Sequence, residues 1–320
     1  MGRMVPFNQC VVGAGFMVML LAGHTYADEP DAMKPDENKP KPVLDCRYDH
    51  SDTGETSEAF PSDDVFRPLM ADPKQPQFFA IWQHSRPRTG GSSFNLGSVA
   101  IGENFGFYTK RQGCDGWQVG LLTGIFSQFN LDQSNAELIN TDFNVGIPLS
   151  WRSGNWSTRV RYYHQSSHLG DEFLDRNLRL GFQRVTVSFE EVDAILSYDY
   201  RWLRVYGGAA YLVHREPATV DRTRLQWGFE ARAPAMRTQV LMRFLDQLIV
   251  TPVLSADFNS LEDHDWVINT NVLGGFEWSR TGSRRRFRIM ATYFHGHNPY
   301  GQFFINQKIE SIGLGAYFTF

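Results

Sequence analysis

No uninterrupted apolar stretch of membrane-spanning length occurs beyond the N-terminal residues, which excludes a bundle of transmembrane helices. Cysteine is scarce, three in 320 residues, so this is no small scaffold stapled by disulfides. Net charge is also small, −4 at pH 7, and no nucleic-acid-binding footprint is legible, so no nucleic-acid partner is expected. What the chain has instead is aromatic side chains, 14%, and 28 glycines. That is the vocabulary of strands and tight turns.

The N-terminus reads as an export signal spanning residues 1–27. Arg3 precedes an apolar run from Val11 to Ala22, and Thr25-Tyr26-Ala27 forms a small-residue cleavage site before Asp28. Cys10 leaves with that peptide, so the exported chain keeps Cys46 and Cys114. In an oxidising compartment the two are expected to form a disulfide. Residues 28–64 then carry twelve carboxylates against four Lys and Arg. With Pro30, Pro35, Pro40 and Pro42 and few large apolar groups, residues 28–65 read as a disordered, acidic periplasmic tail.

From Phe78 onward, apolar and polar residues alternate with period two between turn residues. Phe143, Val145, Ile147, Leu149 and Trp151 alternate with Asn144 and Ser150, and Ser153-Gly154-Asn155 makes a tight turn. Trp156, Thr158, Val160 and Tyr162 follow, alternating with Arg159 and Arg161. Val192 to Tyr198, Trp227 to Ala231, Ile268 to Val272, Phe287 to Tyr293 and Ile312 to Phe320 repeat the pattern. Residues 66–320 are therefore expected to form one transmembrane antiparallel β-barrel of about twelve strands. Residues 179–191 and 234–250 fit no clear strand, and Val240, Phe244, Leu245 and Leu248 have the spacing of a short helix.

Two further patterns point to a barrel in the bacterial outer membrane. The eight tryptophans fall near strand ends, with Trp117, Trp151, Trp156, Trp202 and Trp278 towards one end and Trp82, Trp227 and Trp266 towards the other. Aromatic girdles at two membrane interfaces predict that distribution. The chain also stops on Tyr317-Phe318-Thr319-Phe320, which resembles the C-terminal signal read by the outer-membrane barrel assembly machinery. Outer-membrane lipids and lipopolysaccharide are the other partners expected.

From about Phe66 to Phe320 the sequence resembles an outer-membrane family known as domain of unknown function 1207. The resemblance rests on Ala71-Asp72-Pro73, Gly102-Glu103-Asn104-Phe105-Gly106, Gly146-Ile147-Pro148-Leu149-Ser150 and, above all, the run from Tyr163 to Phe173. Tyr206-Gly207-Gly208-Ala209 adds a weaker match. The resemblance implies a location and no activity.

One constellation carries chemistry. Trp156, Thr158, Val160 and Tyr162 mark the lipid side of their strand, and continued alternation puts His164, Ser166 and His168 on that side. A His two residues before a Ser on one face can act as base to its hydroxyl, given an orienting group. The tripeptide looks like the His-x-Ser pair of outer-membrane phospholipase A and of lipid A deacylase. That implies a lipid acyl hydrolase with His164 as base and Ser166 as nucleophile. Asp171 and Glu172, which follow in the loop, would orient the imidazole or hold a calcium ion; Asp175 and Asn177 are further candidates. The alternative is that the strand has left the hydrocarbon by His164. Asp171 and Glu172 would then pair with Arg176 or Arg179, and the barrel would be structural or a narrow pore. Both readings stand at the level of sequence.

His84, His164, His168, His214, His264, His295 and His297 all fall at the expected outer ends, in no defined metal-ligand spacing. The lumen is expected to hold charges of both signs, among them Arg159, Arg161, Asp193, Asp199, Glu277 and Arg288, which either line a channel or fill it.

Overall fold

The structure, a computed structural model, describes residues 54–320 except 62, 89, 179–181, 234–235, 238–247, 281–284, 306 and 320. Strand β1 (Glu55–Ala59) precedes a wall of twelve antiparallel strands that closes on itself. In chain order these are β2 (Phe78–Pro87), β3 (Phe94–Gln112), β4 (Asp115–Asn130), β5 (Glu137–Ser153), β6 (Trp156–Leu169), β7 (Val187–Tyr200), β8 (Leu203–Glu216) and β9 (Thr223–Arg232), followed by β11 (Leu248–Leu261), β12 (Ile268–Arg280), β13 (Arg286–His297) and β14 (Lys308–Thr319). The two-residue β10 (Met236–Arg237) pairs with the start of β11. Closure comes from β14 on β2, where Tyr317 faces Phe79. One end of the barrel has tight turns at Gly113-Cys114, Gly154-Asn155 and Arg201-Trp202, and the other carries the longer loops and helix α1 (Asp171–Leu178).

The alternation read from sequence is inside-out. Along β5, Asp142, Asn144, Ser150 and Arg152 are buried in the lumen. Phe143, Val145, Ile147, Leu149 and Trp151 project outward, with Ile147 58% exposed. A wall apolar outside and polar inside is stable only where hydrocarbon replaces water, so the strands span a membrane. Trp117, Trp151, Trp156, Trp202 and Trp266 are all exposed near strand ends, as an aromatic girdle requires, while Trp82 is exposed in the middle of β2.

Residues 55–65 were read from composition as the end of a disordered tail. Instead β1 pairs with β3, from Glu55 opposite Gln112 to Ala59 opposite Tyr108, and the chain then turns into the barrel. Residues 63–77, preceded by the buried Pro61, run through the lumen as an irregular plug. Val65, Phe66, Leu69, Met70, Ala71, Asp72, Gln75 and Gln77 are buried there. Four prolines, Pro61, Pro68, Pro73 and Pro76, keep the segment from becoming helix or strand, so its backbone must be satisfied by the wall. The Val65 N–H donates to Gln118 Oε1 at 2.8 Å and the Met70 N–H to Glu230 Oε1 at 2.8 Å, while Ala71 O accepts from Asn271 Nδ2 at 2.7 Å. Side chains lock the same path: Arg67 pairs with Asp199, Lys74 with Asp142, and Phe66 lies under the guanidinium groups of Arg159 and Arg204.

The remaining lumen charges are satisfied inside the wall, most of them by an opposite charge and Asp257 by neutral donors. Asp193 accepts from Arg161 Nε at 2.8 Å, Arg152 donates to Asp199 at 2.9 Å, and Glu230 takes Arg232 at 3.1 Å. Glu277 takes Arg286 at 3.1 Å, and Asp257 accepts from Tyr206 and Gln226, each at 2.8 Å. Buried charges persist only when paired in this way, and removing one partner costs about 3–5 kcal/mol. Of the two readings of the lumen, the filled one holds.

The plug also explains the motif Gly102-Glu103-Asn104-Phe105-Gly106. Gly102, Asn104 and Gly106 face inward from β3. A Cβ on Gly102 would stand 2.8 Å from the Pro76 ring, and one on Gly106 would stand 2.6 Å from Pro61. Asn104 donates to Asp64. The motif is the plug's seat on the wall.

The expected short helix over residues 240–248 lies outside the described residues except Leu248, which opens β11; Phe320 also lies outside them. The unassigned stretch before Val192 is partly strand, since β7 begins at Val187.

Cys114 is disulfide-bonded at the turn between β3 and β4, and Cys46 lies outside the described residues. Non-reducing peptide mapping of exported protein is expected to recover Cys46 joined to Cys114, tying the tail to the barrel base. Recovery of both as free thiols would contradict the pairing. A second outcome concerns the plug. In planar bilayers the full barrel is expected to show no steady ion conductance, and deletion of residues 54–76 is expected to open discrete channels. Arg67→Ala with Lys74→Ala should give intermittent openings. Equal conductance in all three forms would show that the segment does not close the lumen.

Candidate functional site: a carboxylate between two histidines on the outer wall

Strand β6 buries Arg159, Arg161, Tyr163 and Gln165 in the lumen. Its other face therefore continues from Trp156, Val160 and Tyr162 through His164, Ser166 and His168 on the outer wall. Register then decides what meets them. His164 lies opposite Glu190 and Ser166 opposite Ser188 on β7, and Glu190 lies opposite His214 on β8. Glu190 Oε1 is 2.8 Å from His164 Nδ1, and Glu190 Oε2 is 2.8 Å from His214 Nδ1. One carboxylate thus bridges two imidazoles across three strands.

A β-bulge makes this possible. Glu190 pairs with His214 but Glu191 with Leu212, so Val213 is the extra residue. Without it, strict alternation from Tyr211, which points outward, would send His214 into the lumen. The neighbouring Glu191 faces inward and takes Arg224 and the Tyr163 hydroxyl, the latter at 2.8 Å.

The ionised carboxylate only accepts hydrogen bonds, so each Nδ1 bonded to it carries the proton. On His164 this leaves Nε2 as the basic lone pair. The row just below, Tyr162, Val192 and Tyr211, belongs to the exposed apolar belt. The cluster therefore sits where the exposed apolar belt gives way to polar side chains.

Ser166 follows His164 on the same face, opposite Phe143 of β5. No hydrogen bond joins Ser166 to His164 among the described residues. His168 is turned away, its ring edge-on to Phe143 at 5.7 Å. Asp171 and Glu172 occupy the exposed first turn of α1, where carboxylates favour the helix N-terminus. The carboxylate on His164 is Glu190 and neither of these. Of the two arginines expected to pair with Asp171 or Glu172, Arg176 instead donates from Nε to Glu137 Oε1 at 3.0 Å, and Arg179 lies outside the described residues. Glu190 is missed when the alternation is read only from Val192, and His214, counted among the outer-end histidines, has no partner until register pairs it with Glu190. Extending the same alternation back by two residues finds Glu190.

The other histidines divide differently. His84 Nδ1 lies 3.4 Å from Asn95 Oδ1. His264 and His297 are buried and stacked at 3.5 Å, joining the loop after β11 to the end of β13. Among the described residues no group of three or more His, Cys, Asp or Glu is placed to hold a metal ion.

A family model described as protein of unknown function (DUF1207) matches residues 33–320, and the chain belongs to that family. No curated protein sequence matches the chain. Among solved structures, the outer-membrane phospholipase dimer of Salmonella typhi with bound calcium is 11% identical, with a TM-score of 0.50, over 81% of this chain and 94% of that one. Outer membrane phospholipase A from Escherichia coli is 12% identical, with a TM-score of 0.48, over 81% of this chain and 95% of that one. LpxR from Salmonella typhimurium is 8% identical, with a TM-score of 0.37, over 76% and 99%. At these identities the likeness is one of fold: the chain is an outer-membrane-type β-barrel.

The stacked histidines generate a pH dependence. Burial holds the His264 imidazole below the usual histidine range; Asp263, 3.9 Å away, and Asp265 oppose that shift, and Lys308 reinforces it. The folded contact therefore keeps His264 neutral, and an opened loop takes up the proton first. Its stability is full above the free histidine value of 6.5 and is lost as pH falls below it. Amides of residues 262–267 and 298–305 are expected to exchange faster at pH 5 than at pH 7.5, after correction for intrinsic rates. His264→Phe together with His297→Phe should abolish the difference, and an unchanged pH dependence in that double variant would refute the assignment.

Proposed function

We propose that this family member is an outer-leaflet lipid acyl hydrolase, with Ser166 as nucleophile, His164 as general base and Glu190 as the group that orients the imidazole. The hydrogen bond between His164 Nδ1 and Glu190 Oε1, 2.8 Å on the lipid-facing wall with a serine two residues along, carries this reading. The filled lumen supports it too, since a plugged barrel has its outer wall left for chemistry. In this reading residues 1–27 are a cleaved export signal, the segment from residue 28 to the start of β1 is a periplasmic tail, and the barrel reaches the outer membrane through the barrel assembly machinery.

The chemistry follows from the tautomer. His164 Nε2 removes the Ser166 Oγ proton as Oγ bonds to the ester carbonyl carbon of a lipid at the membrane surface. Glu190 stabilises the imidazolium through Nδ1–H. The tetrahedral intermediate collapses by breaking the bond to the lipid alcohol, whose oxygen receives the proton from Nε2. Water, deprotonated by the same nitrogen, then releases the acyl group from Ser166 as a carboxylic acid. Asp171 and Glu172, in the first turn of α1, are the carboxylates that would hold a calcium ion. His214, on the second Glu190 oxygen, fixes the carboxylate in place.

Expression of wild type, His164→Ala, Ser166→Ala and Glu190→Gln at matched levels of heat-modifiable barrel tests this. Mass-spectrometric profiles of phospholipid and lipid A acyl chains are the readout. His164→Ala and Ser166→Ala are expected to lower acyl release about 10²–10⁴-fold, and Glu190→Gln, which still accepts from Nδ1–H, by less. Identical profiles in all strains, with and without added calcium, would return the cluster to a polar rim beside lipopolysaccharide head groups.

A further inference from the structure

The wall beside His164 is not evenly covered. Its strand register lines up two diagonal rows of outward side chains. One row runs from Ser166 through Phe143, Ile125 and Ile101, and Phe78 continues it, since Phe79 pairs with Ala100. The next row runs from His164 through Val145 and Thr123 to Glu103. Short side chains in the second row, beside bulky ones in the first, leave a groove of about 360 Å³ that Phe105 closes from the far side.

The groove has a direction. Ser166 stands near the loop end of β6, whereas Phe78 opens β2 at the tight-turn end. A row joining them crosses four strand spacings, about 19 Å, and descends from the membrane surface into the hydrocarbon. One ionisable group lies on the path. Glu103 is turned back on its own backbone, accepting the Asn104 N–H at 3.2 Å, so the groove surface is mainly aliphatic and aromatic. Its upper end is His164 itself.

We infer that this groove is an acyl-chain subsite: it takes one long chain of a membrane lipid and holds that lipid's ester at Ser166 and His164. The inference rests on the hydrolase reading for its consequence in catalysis, but not for its geometry. The occupant follows from position. A groove on a lipid-facing wall sees hydrocarbon chains and no aqueous solute, and one that begins at an ester-level polar cluster and descends matches a chain hanging from that ester. Thr123 and Val145 are the side chains whose enlargement fills it. Both point outward from mid-strand, where tryptophan meets lipid and not the packed lumen.

The experiment uses full-length barrel in detergent micelles, checked for heat-modifiability, with a short-chain and a long-chain p-nitrophenyl ester. Thr123→Trp and Val145→Trp are each expected to lower the ratio of long-chain to short-chain hydrolysis about tenfold. Val205→Trp, outward on β8 and away from the groove, should leave the ratio at the wild-type value. Native mass spectrometry on the same preparations should show co-purified lipid retained by wild type and Val205→Trp and lost from Thr123→Trp. If wild type cleaves esters and the groove variants keep its ratio, the subsite is overturned while the hydrolase stands. If wild type cleaves neither ester, the hydrolase reading falls and lipid retention alone decides: loss in Thr123→Trp supports the groove, and equal retention overturns it.

Discussion

Everything in this barrel depends on pairing charge inside a closed wall. A sheet apolar on its outer face must turn its polar residues inward, and twelve strands enclose more volume than those side chains fill alone. The chain supplies the missing matter from its own residues 63–77. Arg67 and Lys74 reach the acids Asp199 and Asp142 of the wall, while wall residues Glu230 and Asn271 satisfy the plug's backbone. Neither part has a satisfied interior without the other.

That interlock accounts for residues that look unrelated in the sequence. Ala71-Asp72-Pro73 lies in the plug, and Gly102, Asn104 and Gly106 form its seat on β3. The prolines Pro61 and Pro76 press where the two glycines leave no side chain. β1 anchors the entering chain along β3, and the disulfide at Cys114 lies at the adjoining turn. The family's motifs on this side of the molecule are thus one structural device.

With the interior committed to structure, chemistry is left to the surface. Glu190 is a carboxylate on a face otherwise given to Tyr162, Val192 and Tyr211, and it is held there by two imidazoles. A one-residue bulge at Val213 places the second of them. Without that bulge, His214 would face the lumen and Glu190 would have one partner.

The sequence by itself determined the barrel, its strand directions, the face on which His164 and Ser166 lie and the aromatic girdles. Period-two alternation is local, and each strand announces its own lipid side. It did not determine the plug. Residues 63–77 have no period, and their partners outside the segment are 40 to 227 positions away in the chain. Composition therefore assigned residues 55–65 to a loose tail. Nor could it choose the carboxylate beside His164. Asp171 and Glu172 are close in sequence, but only the β6–β7 register brings Glu190 opposite, and register is fixed by the closure of the whole wall. What alternation encodes was legible residue by residue; what depends on which strand meets which, and on what fills the space between them, was decided by tertiary structure.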